Sequence, residues 1–166
     1  MDAPNVKNCR RVVTGIGADG RSKVIADGPS PHIKEAFGYI DFAEQWLTPS
    51  APPVAGEEFD DVAAEAPESL EPADPRGTLL RTSVYQPDPP DFDLSVAMHS
   101  SQTVDYAFVL AGEMVCIFED GEVTLRQGDV IVQRGTKHAW SNRTDKPAMI
   151  GFVMIGAEDH GGDGGQ

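Results

Sequence analysis

With 166 residues, 17 glycines, 13 prolines and few aromatics, the chain suits one domain of short strands and turns rather than long helices. Its formal net charge of −14 argues against a nucleic-acid backbone or an anionic membrane as partner, since both select for basic surface; a small anionic substrate would need only one or two local cations. Two cysteines make no disulfide framework, no secretory signal opens the chain and no apolar run is long enough to span a membrane, so a soluble cytoplasmic protein is expected.

Arg10 to Asp27 reads as a hairpin, because RRVVTGIG and RSKVIADG flank the turn signal Ala18-Asp19-Gly20. Gly38 to Thr48, with Tyr39, Ile40, Phe42 and Trp46, fits a strand better than a helix. These N-terminal strands span about 10–48. Residues 49–75 then carry eight acidic residues, six prolines and no Lys or Arg. Like charges repel and proline breaks ladders, so an exposed, mobile loop is expected, with at most a short helix near Phe59 to Ala66. Its plain reading is a solvated connector; the alternative is a lid closing on Phe59 or Leu70.

Strand character returns at Gly77 to Gln86, followed by the turn QPDPPDFD. From Asp105 the chain is almost continuous hairpin, with turns at Ala111-Gly112, Asp120-Gly121 and Gln127-Gly128. PAMIGFVMIGA is the closing strand, and 158–166 is a flexible glycine-rich tail. The expectation is a single domain over 1–166 with its core at about 77–157. Cys116, in an apolar strand, reads as a small buried hydrophobe.

The chemistry-bearing residues lie between His99 and Asn142. His99 is followed by Ser101, by Asp105 and, after six further residues, by Gly112. Gly128-Asp129 opens a second group, which continues with Gln133, Gly135, His138 and Asn142. Imidazoles and a carboxylate are what a divalent metal needs to be held with positions left open. Taken singly, each histidine reads as a satisfied core or loop residue, since a neutral imidazole needs only a hydrogen-bond partner.

Together the two groups resemble the paired motifs of the cupin family. His99 falls on the first histidine, Asp105 on the glutamate, and Gly112, Gly135, His138 and Asn142 keep the family spacing. The chain departs from the pattern at four places. Ser101 stands where the second histidine belongs, Asp105 is one methylene shorter than glutamate, Asp93 replaces the opening glycine and Gln133 stands near the usual proline. The resemblance covers about half the chain. It implies an all-β, double-stranded β-helix (jelly-roll) barrel of two facing sheets, with the hairpin as an N-terminal extension. It also implies a divalent ion, Zn, Fe, Mn or Ni, held by His99, Asp105 and His138, or no metal at all. Asp105 would bind it directly or act through a water or a neighbouring histidine.

Strand side chains alternate, so residues of one parity share a face. An unbroken strand would put His99, Ser101 and Asp105 on one face, with His138 and Trp140 facing them. Met114, Cys116, Phe118, Val130 and Val132 could line the same interior, and Tyr106 could add a donor if the strand is bulged. Trp140 reads as a wall that stacks on a planar substrate. Ser101 reads as a strand hydroxyl or a substrate contact. Arg134 and Lys137 read as solvated surface, His32 as a rim candidate and His160 as part of the tail.

The function the resemblance implies is a metal-dependent lyase, a decarboxylase or dehydratase, acting on an apolar, aromatic or polyketide-like acid. His99, Asp105 and His138 would be its catalytic groups. The alternatives are an iron dioxygenase and a binding module without chemistry. Val12, Val13, Val24 and Ile25 on the hairpin need covering, so a homodimer is expected.

Overall fold

The computed structural model describes residues 3–49 and 76–158. The segment expected to be a mobile acidic loop, with its possible helix and lid residues Phe59 and Leu70, lies outside the described residues from position 50 to 75. The tail from position 159, with His160, lies outside them too.

The hairpin forms as the turn signal requires. Strands β1 (Arg10–Ile16) and β2 (Ser22–Pro29) pair antiparallel as a separate two-stranded sheet. The chain continues through β3 (His32–Ala36), β4 (Ile40–Thr48) and β5 (Thr78–Tyr85). A short helix α1 (Leu94–Ala97) precedes β6 (Thr103–Ala111), β7 (Glu113–Phe118) and β8 (Gly121–Arg126). Then come β9 (Val130–Arg134), β10 (His138–Ser141) and β11 (Ala148–Gly156). Six strands form one sheet in the order β3-β4-β5-β11-β6-β9, and three form another in the order β10-β7-β8. Every ladder is antiparallel. This is the jelly-roll barrel, with the hairpin as its extension.

The core follows from alternation. In β6, Thr103, Asp105, Ala107 and Val109 are buried while Tyr106, Phe108 and Leu110 are exposed. Leu79, Met114, Cys116 and Ile150 meet between the sheets with no exposed surface. Part of the outer face of the large sheet is covered by the N-terminal segment, where Val6 packs on Ala43 and Val84. Gly112 turns β6 into β7 with φ of 78°, and a Cβ there would lie 2.9 Å from that of Ala148. Only glycine combines that backbone with that approach.

Two buried polar arrangements hold the barrel end. Asn142, 1% exposed, donates from Nδ2 to Tyr85 O (3.0 Å) and Lys146 O (2.9 Å). Its Oδ1 accepts from the Thr144 backbone and hydroxyl. Glu44 on β4 stands opposite Arg81 on β5, and the Arg81 Nε lies 2.9 and 3.1 Å from the two carboxylate oxygens. Both side chains are almost fully buried, and the guanidinium stacks 4.8 Å over the Phe42 ring.

Candidate functional site

A cavity of about 620 Å³ opens at one end of the barrel. It brings together four of the expected polar residues, His99, Ser101, Asp105 and His138, with Trp140 as a wall. They arrive from different elements. His138 and Trp140 lie on β10 and Asp105 on β6. His99 and Ser101 do not lie on a strand. The expected unbroken strand from His99 to Asp105 does not form: helix α1, capped by Asp93 accepting from the Ser95 amide, ends at Ala97, and β6 starts only at Thr103. His99 instead forms an isolated antiparallel bridge with His138, each amide bonding the other's carbonyl at 2.9 and 2.8 Å.

The bridge brings the imidazoles together, with ring centroids 4.6 Å apart and planes tilted by 54°. His99 Nδ1 lies 2.9 Å from Ala97 O, and His138 Nδ1 lies 2.8 Å from Thr136 O. A carbonyl only accepts, so each Nδ1 carries the proton and each Nε2 presents a lone pair. His138 is 3% exposed. Burial pushes its pKa below the ordinary histidine value, the Thr136 hydrogen bond opposes this, and the nearby His99 adds to the lowering. His138 is therefore a neutral base at neutral pH, while His99 is exposed beside it.

The metal that the resemblance implies needs more than this pair. Two lone-pair nitrogens side by side fit as two donors, and a catalytic metal site usually takes three. Among the described residues, no group of three or more His, Cys, Asp and Glu side chains is placed to hold an ion. Asp105 is buried at the cavity wall without completing such a set. The Ser101 hydroxyl accepts from Thr103 Oγ1 at 2.8 Å. Of the three expected metal-binding residues, His99 and His138 stand together and Asp105 lies on the wall of the same cavity.

Several expected pocket residues lie elsewhere. Tyr106, Val130 and Val132 face outward, 40%, 54% and 53% exposed. Register explains this: β6 pairs β9 with Tyr106 opposite Val132 and Asp105 opposite Gln133, so placing Asp105 inside puts Tyr106 and Val132 outside. Gln133 and Ile131 take the inner face, with Gln133 2% exposed. Met114 and Cys116 belong to the packed core and Phe118 packs against it, so none of the three lines the cavity. Burial pushes the Cys116 thiol up to about 12, which keeps it unreactive. Arg134 is exposed, Lys137 reaches the exposed Glu119 at 3.5 Å, and His32 stays away from the cavity.

The cavity walls that sequence reasoning missed come mainly from β4, β5 and β11. They include Phe42, Arg81, Ser83, Tyr85, Phe152 and Met154. The alternation of β5, Leu79-Arg81-Ser83-Tyr85 against Leu80-Thr82-Val84, has no apolar face to mark which side is inner. The signal in the sequence is charge, since Glu44 and Arg81 stand in strands that are otherwise mostly apolar or neutral. Arg81 is the only Lys or Arg lining the cavity among the described residues, and it is bound to Glu44. Asp91, Asp93 and Asp105 line the cavity as well.

A family model and curated relatives agree with the motifs. A cupin-domain family model matches residues 87–156. "Phomopsin biosynthesis cluster protein C'" of Diaporthe leptostromiformis is 30% identical over 147 residues, covering 86% of this chain and 75% of that protein. "Cupin-domain-containing oxidoreductase virC" of Hypocrea virens is 28% identical over 155 residues, covering 92% of this chain and 76% of that one. Among solved structures, a cupin 2 conserved barrel domain protein from Salinispora arenicola is 17% identical. It covers 46% of this chain and 61% of its own, with a TM-score of 0.39. The chain belongs to the cupin superfamily.

Proposed function

We propose that this cupin is a small-molecule enzyme that performs proton-transfer chemistry at His138, of the lyase type, on an uncharged compound with an apolar or aromatic body. The observation that carries the proposal is the neutral, buried His138, its Nδ1 tied to Thr136 and its Nε2 without a protein hydrogen bond among the described residues. A base poised this way removes a proton from a carbon next to a carbonyl. The electron pair of that C–H bond forms a double bond, the neighbouring C–O bond breaks, and the departing hydroxide takes up a proton and leaves as water. The exposed His99, its ring 4.6 Å from that of His138, passes protons between this place and solvent.

The charges of the cavity favour dehydration over decarboxylation. Its one guanidinium is committed to Glu44, and three aspartates line it, so a substrate carboxylate has no ready partner. The test incubates the purified protein with uncharged β-hydroxycarbonyl compounds carrying aromatic bodies and follows water loss by mass spectrometry. Turnover that survives a chelator and is lost in His138→Gln supports the reading. Wild-type turnover in His138→Gln sinks it.

A second reading, oxidoreductase chemistry, is favoured by the names of relatives in Hypocrea virens and Neurospora crassa, both cupin-domain-containing oxidoreductases. Relatives named for biosynthesis clusters fit a small-molecule substrate under either reading. If turnover consumes oxygen, disappears with chelation and returns with iron, the second reading replaces the first.

A further inference from the structure

Phe37 breaks two local rules at once. Its φ is 57°, and it is the one non-glycine residue with positive φ among the described residues. It sits in the turn between β3 and β4, where Ala36 pairs with Ile40 and Gly38 follows with φ of 73°. Consecutive positive φ angles are adopted at least cost by Asn-Gly, and a bulky aromatic there is strained. The side chain is also 68% exposed and joins none of the hydrophobic clusters. Among the described residues one tilted ring contact, with Tyr39, offsets the strain, and most of the Phe37 side chain stays in water. Local rules broken for so little structural gain point to function.

The ring borders the cavity mouth. It lies 6.5 Å from the Tyr39 ring, which in turn meets Phe92 edge-on at 6.3 Å. Val96, 75% exposed, borders the same opening. An aromatic rim therefore continues the apolar wall of the cavity into solvent, next to Asp91 and Asp93. We propose that Phe37 is a specificity-determining residue that packs on an uncharged aromatic portion of the substrate projecting from the cavity. This rests on the cavity being the site of the function proposed above. The ligand class is a molecule whose polar end reaches the histidine pair while a distal ring lies on the rim. Occupied, the rim covers apolar surface that the free protein leaves in water.

Trading strain for binding makes the two properties move in opposite directions. Phe37→Asn relieves the left-handed backbone and removes an exposed ring, so Tm rises by about 2–4 °C, the shift about 1 kcal/mol gives a chain of this size. Calorimetric titration with phenol and with 4-phenylphenol separates the inner cavity from the rim. The variant binds phenol as the wild type does and 4-phenylphenol about three- to tenfold more weakly, the range of one lost aromatic pair. Phe37→Tyr restores the 4-phenylphenol affinity. A lower Tm in Phe37→Asn would show that the ring serves the fold, and unchanged 4-phenylphenol affinity that it serves nothing at the mouth; either overturns the proposal. Equal weakening for both probes overturns it too, since the effect would then lie in the cavity. Failure of the wild type to bind either probe overturns the cavity reading itself, and this inference with it.

Discussion

At the scale of the residue, the histidine pair differs in environment more than in geometry. His138 is buried and His99 is exposed, yet both are oriented by a carbonyl two residues earlier in the chain. His138→Ala is expected to cost about 10²–10⁴ in turnover, the range of an acid–base group, with circular dichroism unchanged. Asp105→Asn tests whether the carboxylate shares in the chemistry, and measured metal content should not change, because among the described residues Asp105 belongs to no group of three or more metal-binding side chains. A fall in metal content would show that it does. The lowered pKa of His138 also sets two pH dependences. Activity should fall as acidification protonates the base, with a midpoint below the ordinary histidine value of about 6.5. Stability has a definite sign. The unfolded chain binds the proton first, so unfolding becomes easier as pH drops below about 6.5, and the loss levels off once His138 is protonated in the folded state. Denaturant titrations across this window, comparing wild type with His138→Gln, isolate the contribution.

At the scale of the element, β4 and β5 carry the polar core of the barrel. Arg81→Met leaves Glu44 buried without its guanidinium partner. The expected loss is about 3–5 kcal/mol by denaturant unfolding, because one member of a buried pair is harder to accommodate alone than both or neither. Adding Glu44→Leu should recover much of it, and no recovery would mean that the pair shapes the sheet beyond its charges. The same scale explains which parts of the site were legible. His138, Trp140 and Asp105 were placed correctly as cavity residues because their spacing survives on β10 and β6. The assignment failed on β9, where a slip of one residue exchanges Val130 and Val132 for Ile131 and Gln133. The run Val130-Ile131-Val132 carries no polar residue to mark its inner face, and only pairing with β6 settles the register. Helix α1 escaped notice because four residues carry no helical periodicity.

At the scale of the whole molecule, an apolar face remains. Tyr106, Phe108, Leu110, Val130 and Val132 stand exposed on neighbouring strands β6 and β9, and β9 is the edge of the six-stranded sheet. Val12, Ile16 and Val24 are exposed on the hairpin as well. Apolar surface of this kind beside an open edge invites a second copy. Light scattering at micromolar concentration is expected to give a dimer, and Val132→Lys a monomer with unchanged unfolding cooperativity. A monomeric wild type would leave the face to some other partner. The surface ion pairs, such as Arg10 with Asp27 and Arg143 with Glu122, are solvent-screened and play no part in this assembly argument.

Glycine turns and alternation marked, from the sequence alone, the strands and the N-terminal hairpin, and motif spacing, through the cupin resemblance, implied the barrel with His99, Asp105 and His138 facing inward. These are local properties, set by which backbone angles a residue tolerates and by the two-residue period of a strand. Tertiary structure alone decided that His99 meets His138 from outside the strand, and that the cavity is walled by Arg81, Ser83, Tyr85 and Phe152. Those facts depend on contacts between strands distant in sequence. A pairing register and a bridge between two chain segments appear only when the segments meet.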